Sequence, residues 1–374
     1  MTPADARGIP RGAMLDQPVV TTADAMEAVE LFAEKRWTDG LPIIPPTEER
    51  VRAFLDVAGR DPAEVILRVS ENRREVTVGL AAINAVMAGC LPAYFPVVLA
   101  ALEGWADERW GDGDRTYFYI SNASTGGGGQ LLIVNGPVRH ELGINSGVNL
   151  YGPGNRANAT IGRAMRLIII NALGIAPGIL DHASQGHPGK YSFCIAENEE
   201  ESPWEPLHVE RGFSADTSTV TTFSARGPEP VENRVSGKPE GILYSIADTM
   251  SRLGAMMGMS GTTAVVMGPE HAGIIGRHGW TKQDVKLFLY ENFKRPLTDF
   301  ARAGMVVPPG SPRTFTIDGV DYLRGCRGPE DILLVVAGGN NAGVSSVITQ
   351  WSHHIPLGQY IVTPIAPGKT ASPE

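Results

Sequence analysis

The sequence has few cysteines and no long apolar run. Its three cysteines, Cys90, Cys194 and Cys326, lie far apart and are odd in number. This pattern argues against a disulfide framework and against a zinc site built from cysteines, and it is typical of a reducing cytoplasm. No apolar stretch reaches the ~18 residues that a membrane helix needs. We therefore expect a cytoplasmic chain with no membrane partner.

Positive charge is also scarce. The 32 Lys and Arg residues are outnumbered by 41 Asp and Glu residues, which gives a net charge of -9. Nucleic-acid binding needs a positive surface that displaces counterions, so we expect no nucleic-acid partner. Residues Met1–Gln17 are polar and lack the apolar segment of a secretory signal, which indicates a mobile arm.

Recognisable metal, cofactor and nucleophile motifs are absent. The eight histidines match neither the helical spacing of zinc proteases nor the spacing of zinc fingers. No Gly-x-Ser-x-Gly elbow, dinucleotide fingerprint or phosphate loop occurs, so the cofactor stays unknown. A metal assembled from distant residues would first involve Asp181, His182 and His187. The solvated or capping role is the stronger interpretation of each, and we predict no metal.

What the sequence does contain is the composition of a folded protein of more than one core. Apolar residues make up 43% and charged residues 20% of the 374 residues. The order of the helix and strand patterns predicts an α/β fold: two pseudo-repeated α/β lobes with mixed sheets and a helical N-terminal segment. The predicted parts are a mobile arm 1–20, a first lobe 21–200, a connecting strand and loop 201–240, a second lobe 241–364 and a tail 365–374.

Three local patterns lead to specific expectations about secondary structure. Thr21 or Thr22 is a suitable cap for a first helix that runs to about Arg36. Asp61, followed by proline, is typical of another helix start. The acidic, proline-containing stretch Glu197–Gly212 indicates a solvated loop.

Two strand–loop–helix units in the two halves look alike. Gly136-Pro137 is followed about 132 residues later by Gly268-Pro269, and His140 aligns with His271 within one residue. Chance similarity is the alternative explanation. If the halves are duplicated, two lobes pack about a pseudo-twofold axis and both loops face one cleft, which is a common place for a ligand.

The first of these units has a loop rich in glycine and asparagine between its strand and its helix. The backbone N–H groups at a helix N-terminus attract carboxylate or phosphate groups, and an arginine can bind a carboxylate with two hydrogen bonds. The alternative is that Gly and Asn fill left-handed turn positions and that the arginines form surface pairs. The predicted substrate-binding residues are Arg139, Asn145, Asn155, Arg156 and Asn158.

The candidate catalytic residues are two histidines and one cysteine. His140, together with His271, is predicted to transfer protons, because imidazole titrates near the working pH. Cys326 lies between Arg324 and Arg327, and two nearby cations favour a thiolate. Cys326 is therefore the predicted nucleophile or redox group.

A run of four glycines, Gly126–Gly129, precedes the strand at Leu131. Such a run exposes the backbone and suits a lid or an anion-binding turn. A plain flexible linker is the alternative interpretation.

Several segments resemble a widespread bacterial family along nearly the whole chain. Those segments are DGLPIIPPTEERV, AAINAVMAGCLPAYFPVVLAALE, LLIVNGPVRHELGINSG, NRANATIGRAMRLIIINALG and ENEEESPWEPLHVERGF. Members are often encoded beside, or fused to, a small protein with a selenocysteine/cysteine-Gly-Ser-Cys motif, which is loosely similar to the substrate-reducing subunit of glycine reductase. The resemblance implies that a redox sulfur belongs to a partner, since Gly325-Cys326-Arg327 is not that motif. It carries no catalytic assignment, and the run at Gly126 is richer in glycine than the family pattern.

Two functions follow from these patterns. The first is a cytosolic lyase or hydrolase that acts on a small anionic metabolite by elimination, addition or hydrolysis in a cleft between the lobes. The second is a non-catalytic or half-site subunit that docks a thiol- or selenol-bearing redox partner, with Trp37 and the segment LPIIPP at the interface. Both imply a homo- or hetero-oligomer.

Overall fold

The computed structural model describes residues 19–107, 111–112, 115–116, 121–255, 261–351 and 360–368. Most of the predicted arm and tail lies outside these ranges, as do the ends of a strand predicted at Thr116–Ile120 and of a helix predicted to reach Met257. The helices are α1 Ala25–Glu34, α2 Glu48–Ala58, α3 Val78–Ala88, α4 Phe95–Ala106, α5 Val138–Glu141, α6 Arg156–Asn171, α7 Leu207–Glu210, α8 Pro239–Met250, α9 Pro269–Arg277, α10 Lys282–Asn292 and α11 Leu297–Arg302. The strands are β1 Val65–Val69, β2 Arg74–Thr77, β3 Gly111–Asp112, β4 Arg115–Thr116, β5 Gly129–Asn135, β6 Cys194–Ala196, β7 Thr219–Ala225, β8 Glu229–Glu232, β9 Thr263–Met267, β10 Lys294–Pro296, β11 Thr314–Ile317, β12 Val320–Arg324, β13 Ile332–Val336, β14 Val344–Thr349 and β15 Ile361–Pro364.

The predicted α/β class is confirmed. Two four-stranded mixed sheets carry the fold, with the strand orders β15-β7-β5-β6 and β13-β9-β14-β8. In each sheet a central strand (β5 or β9) has a parallel neighbour on one side and an antiparallel neighbour on the other. An antiparallel strand then closes the edge next to β7 or β14.

The two halves of the chain exchange their edge strands. β7 leads into β8, which is the edge of the second sheet, and β14 leads toward β15, which is the edge of the first. Gly136-Pro137 and Gly268-Pro269 follow the equivalent strands β5 and β9. This arrangement is what a duplicated α/β unit would produce, but the duplication itself stays a prediction.

The sheets pack face to face and helices cover their outer faces. Leu131 and Ile133 of β5 contact the second sheet, through a core that also contains Val266 of β9. The alternate residues Leu132 and Val134 face the helices α2, α3, α4 and α6. Helices α8, α9 and α10 cover the second sheet in the same way. Burial on both faces explains why these central strands are apolar throughout.

Two of the predicted helix starts are wrong. Asp24, not Thr21 or Thr22, caps α1, because its side chain accepts hydrogen bonds from the N–H groups of Met26 and Glu27. Asp61 begins a turn, not a helix, and the antiparallel pair β1–β2 follows it. The sequence after Asp61 did not distinguish a turn from a helix start, because an Asp side chain accepts hydrogen bonds from the N–H groups that follow it in both.

The stretch Glu197–Gly212 is not the solvated loop that its charge indicated. Glu197 is 1% exposed, and the N–H of Asn198 donates to the carbonyl of Val336 at 2.7 Å. Trp204 donates its indole N–H to the carbonyl of Trp280 at 2.9 Å. The stretch therefore connects the two lobes.

Buried lysines of the second lobe neutralise part of this acidic stretch. Lys282 lies 2.7 Å from Glu210 and also donates to the carbonyl of Glu205, and Lys286 forms a second ion pair with Glu210. Pairing of this kind is what allows charged side chains to leave water.

None of the described helices has both the length and the apolar character needed to span a membrane.

We expect Gly268→Ala to destabilise the fold, because a Cβ at Gly268 would overlap the carbonyl oxygen of Val344 in the neighbouring strand. Overpacking of this kind costs about 1–3 kcal/mol of unfolding free energy, measurable by urea denaturation. Gly237→Ala is the control, since a Cβ there meets nothing within 4 Å. Equal stability of the two variants would contradict this account of the Gly-Pro turn.

Candidate functional site

Helix α6 holds several distant segments of the chain with its polar side chains. Arg163 contacts Asp39 through two hydrogen bonds of 2.8 and 2.9 Å and donates to the carbonyl of Pro42 at 2.8 Å. Arg156 donates two hydrogen bonds, of 3.1 and 3.0 Å, to the carbonyl of Gly89 at the end of α3. These contacts fix the segment 38–47 and the end of α3 against one helix.

The Arg163–Asp39 pair is mostly withdrawn from water. The side chain of Asp39 is 3% exposed and that of Arg163 is 15% exposed. Burial by itself would raise the pKa of Asp39, but the hydrogen bonds and the charge of Arg163 outweigh it and lower the pKa. The carboxylate form is therefore favoured in the folded chain.

A cavity of about 650 Å³ lies beside this pair, between α1, segment 45–48, α2, α3 and the end of α6. Its volume lies within the range of about 300–1,000 Å³ that is usual for small-molecule sites. The walls are mainly apolar: Phe32, Trp37, Val51, Leu80, Ile83 and Met87. Phe32 and Trp37 pack edge to face, with ring centres 5.3 Å apart.

Two amides form the polar part of the inner wall. The side chain of Asn171 donates to Asn84 Oδ1 at 2.8 Å and to the carbonyl of Trp37 at 3.0 Å. Asn84, which is 2% exposed, in turn donates to the carbonyl of Leu80. These hydrogen bonds join the segment after α1 to α3 and α6 beside the cavity and hold Trp37 in its wall.

The cavity offers an anion little stabilisation. Among the described residues that line it, Glu48 is the only one with a charged side chain. Glu48 is half exposed and pairs with Arg52 at 3.0 Å. An apolar wall with a carboxylate and no lining cation favours a neutral or cationic guest.

The predicted substrate-binding asparagines bind the protein's own backbone. Asn155 caps α6 by accepting from the N–H of Asn158, and it donates to the carbonyl of Gly143. Asn158 exchanges hydrogen bonds with the backbone of Asn145 and also donates to the carbonyl of Cys194. The glycines and amides of this loop thus give it a closed network of its own.

Arg139 and His140 lie together at the carboxyl end of β5, beside the acidic stretch. Arg139 is 4% exposed and contacts Glu199 at 3.1 Å and Glu200 at 2.9 Å. His140 is exposed, and its Nε2 lies 2.8 Å from Glu200. Arg139 and His140 lower the pKa of Glu200 to about 2.

His271 has a different environment from His140. It is fully buried, with Nδ1 2.7 Å from the Ser345 hydroxyl and Nε2 3.0 Å from the carbonyl of Asn233. Burial lowers its pKa. The hydrogen-bond partners of the two histidines have no residue in common.

The two Gly-Pro turns nevertheless lie at the same end of the sandwich. β6 and β13 run parallel to β5 and β9, and their carboxyl ends meet through the hydrogen bond from Asn198 to Val336. The glycine- and asparagine-rich loop of the first lobe also reaches the second lobe, since the carbonyl of Ser146 accepts from the N–H of Gly338 at 2.8 Å. This loop therefore contributes to the contact between the lobes.

The electrostatic reason for choosing Cys326 does not hold. The thiol is fully buried, and burial, followed by the charge of Asp331, raises its pKa to about 12 despite Arg324. Burial likewise raises the pKa of Cys90 and of Cys194 to about 12. The sequence showed the neighbouring cations but not the depth of the thiol.

The residues considered for a metal have other partners. Asp181 pairs with Lys190 at 2.5 Å, His182 contacts the carbonyl of Ile179 at 2.9 Å, and His187 accepts from the N–H of Gly189. Within the described ranges, no three or more His, Cys, Asp or Glu residues are placed to hold a metal ion.

The local sequence patterns did not indicate the cavity. The segments that carry the family resemblance could have pointed to it, because they supply Pro45, Pro46, Asn84, Met87 and Asn171 to its lining.

Comparison of the chain with protein-family models, with curated proteins and with solved structures gave no match.

We expect Arg163→Met to lose about 3–5 kcal/mol of unfolding free energy at pH 7, because it leaves the buried Asp39 carboxylate without its partner. The deficit should shrink as the pH falls. Down to about pH 4, protonation relieves the unpaired carboxyl of the variant, and below about pH 4 the wild type loses the contribution of Asp39 as the pH falls through the lowered pKa of that carboxyl. Denaturant unfolding across this pH range measures both effects.

Two further variants make this test specific. Asp39→Asn combined with Arg163→Met should cost less than the sum of the two single changes, because neither charge is left alone. Arg52→Met removes an exposed pair and should cost at most about 1 kcal/mol. A loss in Arg163→Met no larger than in Arg52→Met would refute the role of this pair.

Proposed function

We propose that this chain binds a small, mainly apolar molecule without negative charge in the cavity beside Arg163. The observation that carries the proposal is the cavity itself: about 650 Å³, with apolar walls and a single charged lining residue, Glu48, among those described. Burial of an apolar ligand surface yields roughly 25 cal/mol per Å² before the costs of association. Such a wall therefore supplies affinity without any specific ion pair.

The way in which the wall is held supports this proposal. Segment 38–47, whose last residues Pro45–Thr47 line the cavity, has no regular hydrogen-bonded structure of its own before α2 begins. Arg163 binds the earlier part of this segment, at Asp39, Leu41 and Pro42. A wall fixed in advance binds at lower entropic cost than one that must be ordered by the ligand. The arrangement is that of a binding site prepared before its ligand arrives.

A pair of fluorescent dyes tests both the site and its charge preference. N-phenyl-1-naphthylamine is neutral, and 8-anilinonaphthalene-1-sulfonate has the same ring system with an added sulfonate. We expect the neutral dye to bind and to brighten in the apolar cavity, and the sulfonate to bind at least about tenfold more weakly, because its desolvated charge meets no cation there. Titration of each dye with the protein, followed by the emission of the dye excited at its own absorption band, measures both affinities.

Substitution in the wall locates the binding. Ile83→Trp should weaken binding of the neutral dye by filling the cavity, whereas Ile179→Trp, at a 60% exposed position outside the lining, should leave it unchanged. Tighter binding of the sulfonate, or equal binding by both variants, would overturn the proposal.

A second proposal is favoured by the burial of all three cysteines: the chain acts as a half-site whose redox sulfur comes from a partner. Each thiol is buried and has a pKa of about 12, so a thiolate on this chain is disfavoured. Trp37, Leu41 and Ile44 beside the cavity are 40–45% exposed, which suits docking of a thiol- or selenol-bearing partner. Three unpaired cysteines also agree with the cytoplasmic location that we propose from the sequence.

Alkylation tests this second proposal. We expect iodoacetamide at pH 8 to modify each cysteine of the native chain at least about 100-fold more slowly than in the urea-unfolded chain, because a thiol of pKa about 12 has far fewer thiolates than one near 8.5. Mass spectrometry of the modified peptides gives the three rates. Rapid native modification of Cys326 would assign the redox sulfur to this chain instead.

The alternative, a lyase or hydrolase acting on a small anionic metabolite, has less support from these contacts. His140 is exposed and available for proton transfer beside Glu200, but Arg156 and the loop asparagines bind backbone carbonyls. The amide and guanidinium groups proposed to hold the metabolite are thus already engaged.

A further inference from the structure

One polar group in the wall of the apolar cavity has hydrogen-bonding capacity that the protein does not use. Asn171, the last residue of α6, lines the cavity together with Trp37, Leu80 and Asn84. Its side-chain oxygen, Oδ1, is buried and accepts no hydrogen bond from any residue that the structure describes. An amide oxygen of this kind can accept two hydrogen bonds, so the wall contains a free acceptor.

The neighbouring contacts fix which end of the Asn171 amide is the oxygen. The amide nitrogen, Nδ2, donates one hydrogen to Asn84 Oδ1 at 2.8 Å and the other to the backbone carbonyl of Trp37 at 3.0 Å. A flipped amide would place Oδ1 against these two oxygens, and the carbonyl of Trp37 can only accept. Oδ1 is therefore the atom that is left without a partner.

The orientation of Asn84 is fixed in the same way. Its Nδ2 donates to the carbonyl of Leu80 at 2.8 Å, one turn earlier in α3, so its Oδ1 is the atom that accepts from Asn171. Asn84 is 2% exposed, and helix α3 determines where it lies. Because backbone carbonyls hold both amides, Asn171 cannot turn its oxygen toward another group without breaking two hydrogen bonds.

The unpaired oxygen distinguishes Asn171 from the other polar residues of the lining. A buried acceptor without a partner forfeits the hydrogen bonds that it would make with water. A ligand that donates to Oδ1 restores such a bond, whereas a purely apolar ligand seals the oxygen off from any donor. The other polar side chains of the lining already have contacts with the protein: Thr22, Thr47, Glu48 and Asn84.

We propose that the ligand of this cavity carries a hydrogen-bond donor, a hydroxyl or an N–H, that binds Asn171 Oδ1 while its apolar body packs against the surrounding wall. This inference rests on the proposed function and adds the class of ligand to it: an apolar molecule with a donor, as opposed to a hydrocarbon or an ether. Apolar walls supply affinity, and a small number of polar groups fix the orientation of a ligand. Asn171 is the group that orients the ligand here.

Two pairs of probes test this inference at pH 7, and the members of each pair differ at the donor. 2-Naphthol has a hydroxyl where 2-methoxynaphthalene has an ether, and N-phenyl-1-naphthylamine has an N–H where 1-phenoxynaphthalene has an oxygen. Titration with N-phenyl-1-naphthylamine, and its displacement by the other three compounds, measures the four affinities. We expect the donor of at least one pair to bind about tenfold more tightly than its ether, although apolar burial alone favours the ether.

Substitution of Asn171 identifies the partner of the donor. Asn171→Leu removes the acceptor and leaves an apolar side chain of similar size, so this variant should bind the ethers and lose the preference for the donors. Thr22→Val is the matched control. It also removes a polar group from the lining, but one that donates to the carbonyl of Asp24 at 3.2 Å, and it should keep the preference of the wild type.

The outcomes separate this inference from the proposed function. Failure of all four compounds to bind would overturn both. Equal or tighter binding of the ether in both pairs, or a preference for the donor that persists in Asn171→Leu, would overturn the role of Asn171 and leave the apolar site intact. The comparison of donor with ether in the wild type needs no variant, so it tests the inference even if Asn171→Leu folds poorly.

Discussion

The structure depends on one constraint: the polar side chains of helix α6 must find hydrogen-bond partners although the helix is largely buried. Burying such groups without partners costs several kcal/mol each, to an order of magnitude. Arg156 donates to the carbonyl of Gly89, Arg163 pairs with Asp39, and Arg166 donates to the carbonyl of Lys190 at 2.6 Å. Each of these contacts holds a segment that is distant in the sequence against α6, so the helix organises the first lobe.

This constraint explains both the cavity and the loop before the helix. The end of the segment held by Arg163 and the amide pair Asn84–Asn171 line this apolar space, together with apolar residues of α1, α2 and α3. At the other end of α6, Asn155 and Asn158 use their amides to close the crossover loop. The many glycines and amides between β5 and α6 are therefore explained by structure before any ligand is considered.

Local patterns predicted most of the elements, and long-range contacts decided the site. The strand that contains Leu131 and the α/β order of the elements could be predicted, because such patterns depend on neighbouring residues. Arg163 and Asp39 are 124 residues apart, and nothing local marks them as partners. The prediction of a solvated loop after β6 was wrong for the same reason, because the lysines that neutralise Glu210 come from the second lobe.

A crystal structure of the chain grown with N-phenyl-1-naphthylamine is the most direct measurement of the central claim. The account predicts density for the two ring systems against Trp37, Leu80 and Met87, with segment 38–47 still joined to Arg163. An empty cavity with the dye bound elsewhere, or a cavity filled by the protein's own side chains, would contradict the claim that this helix holds a ligand site open.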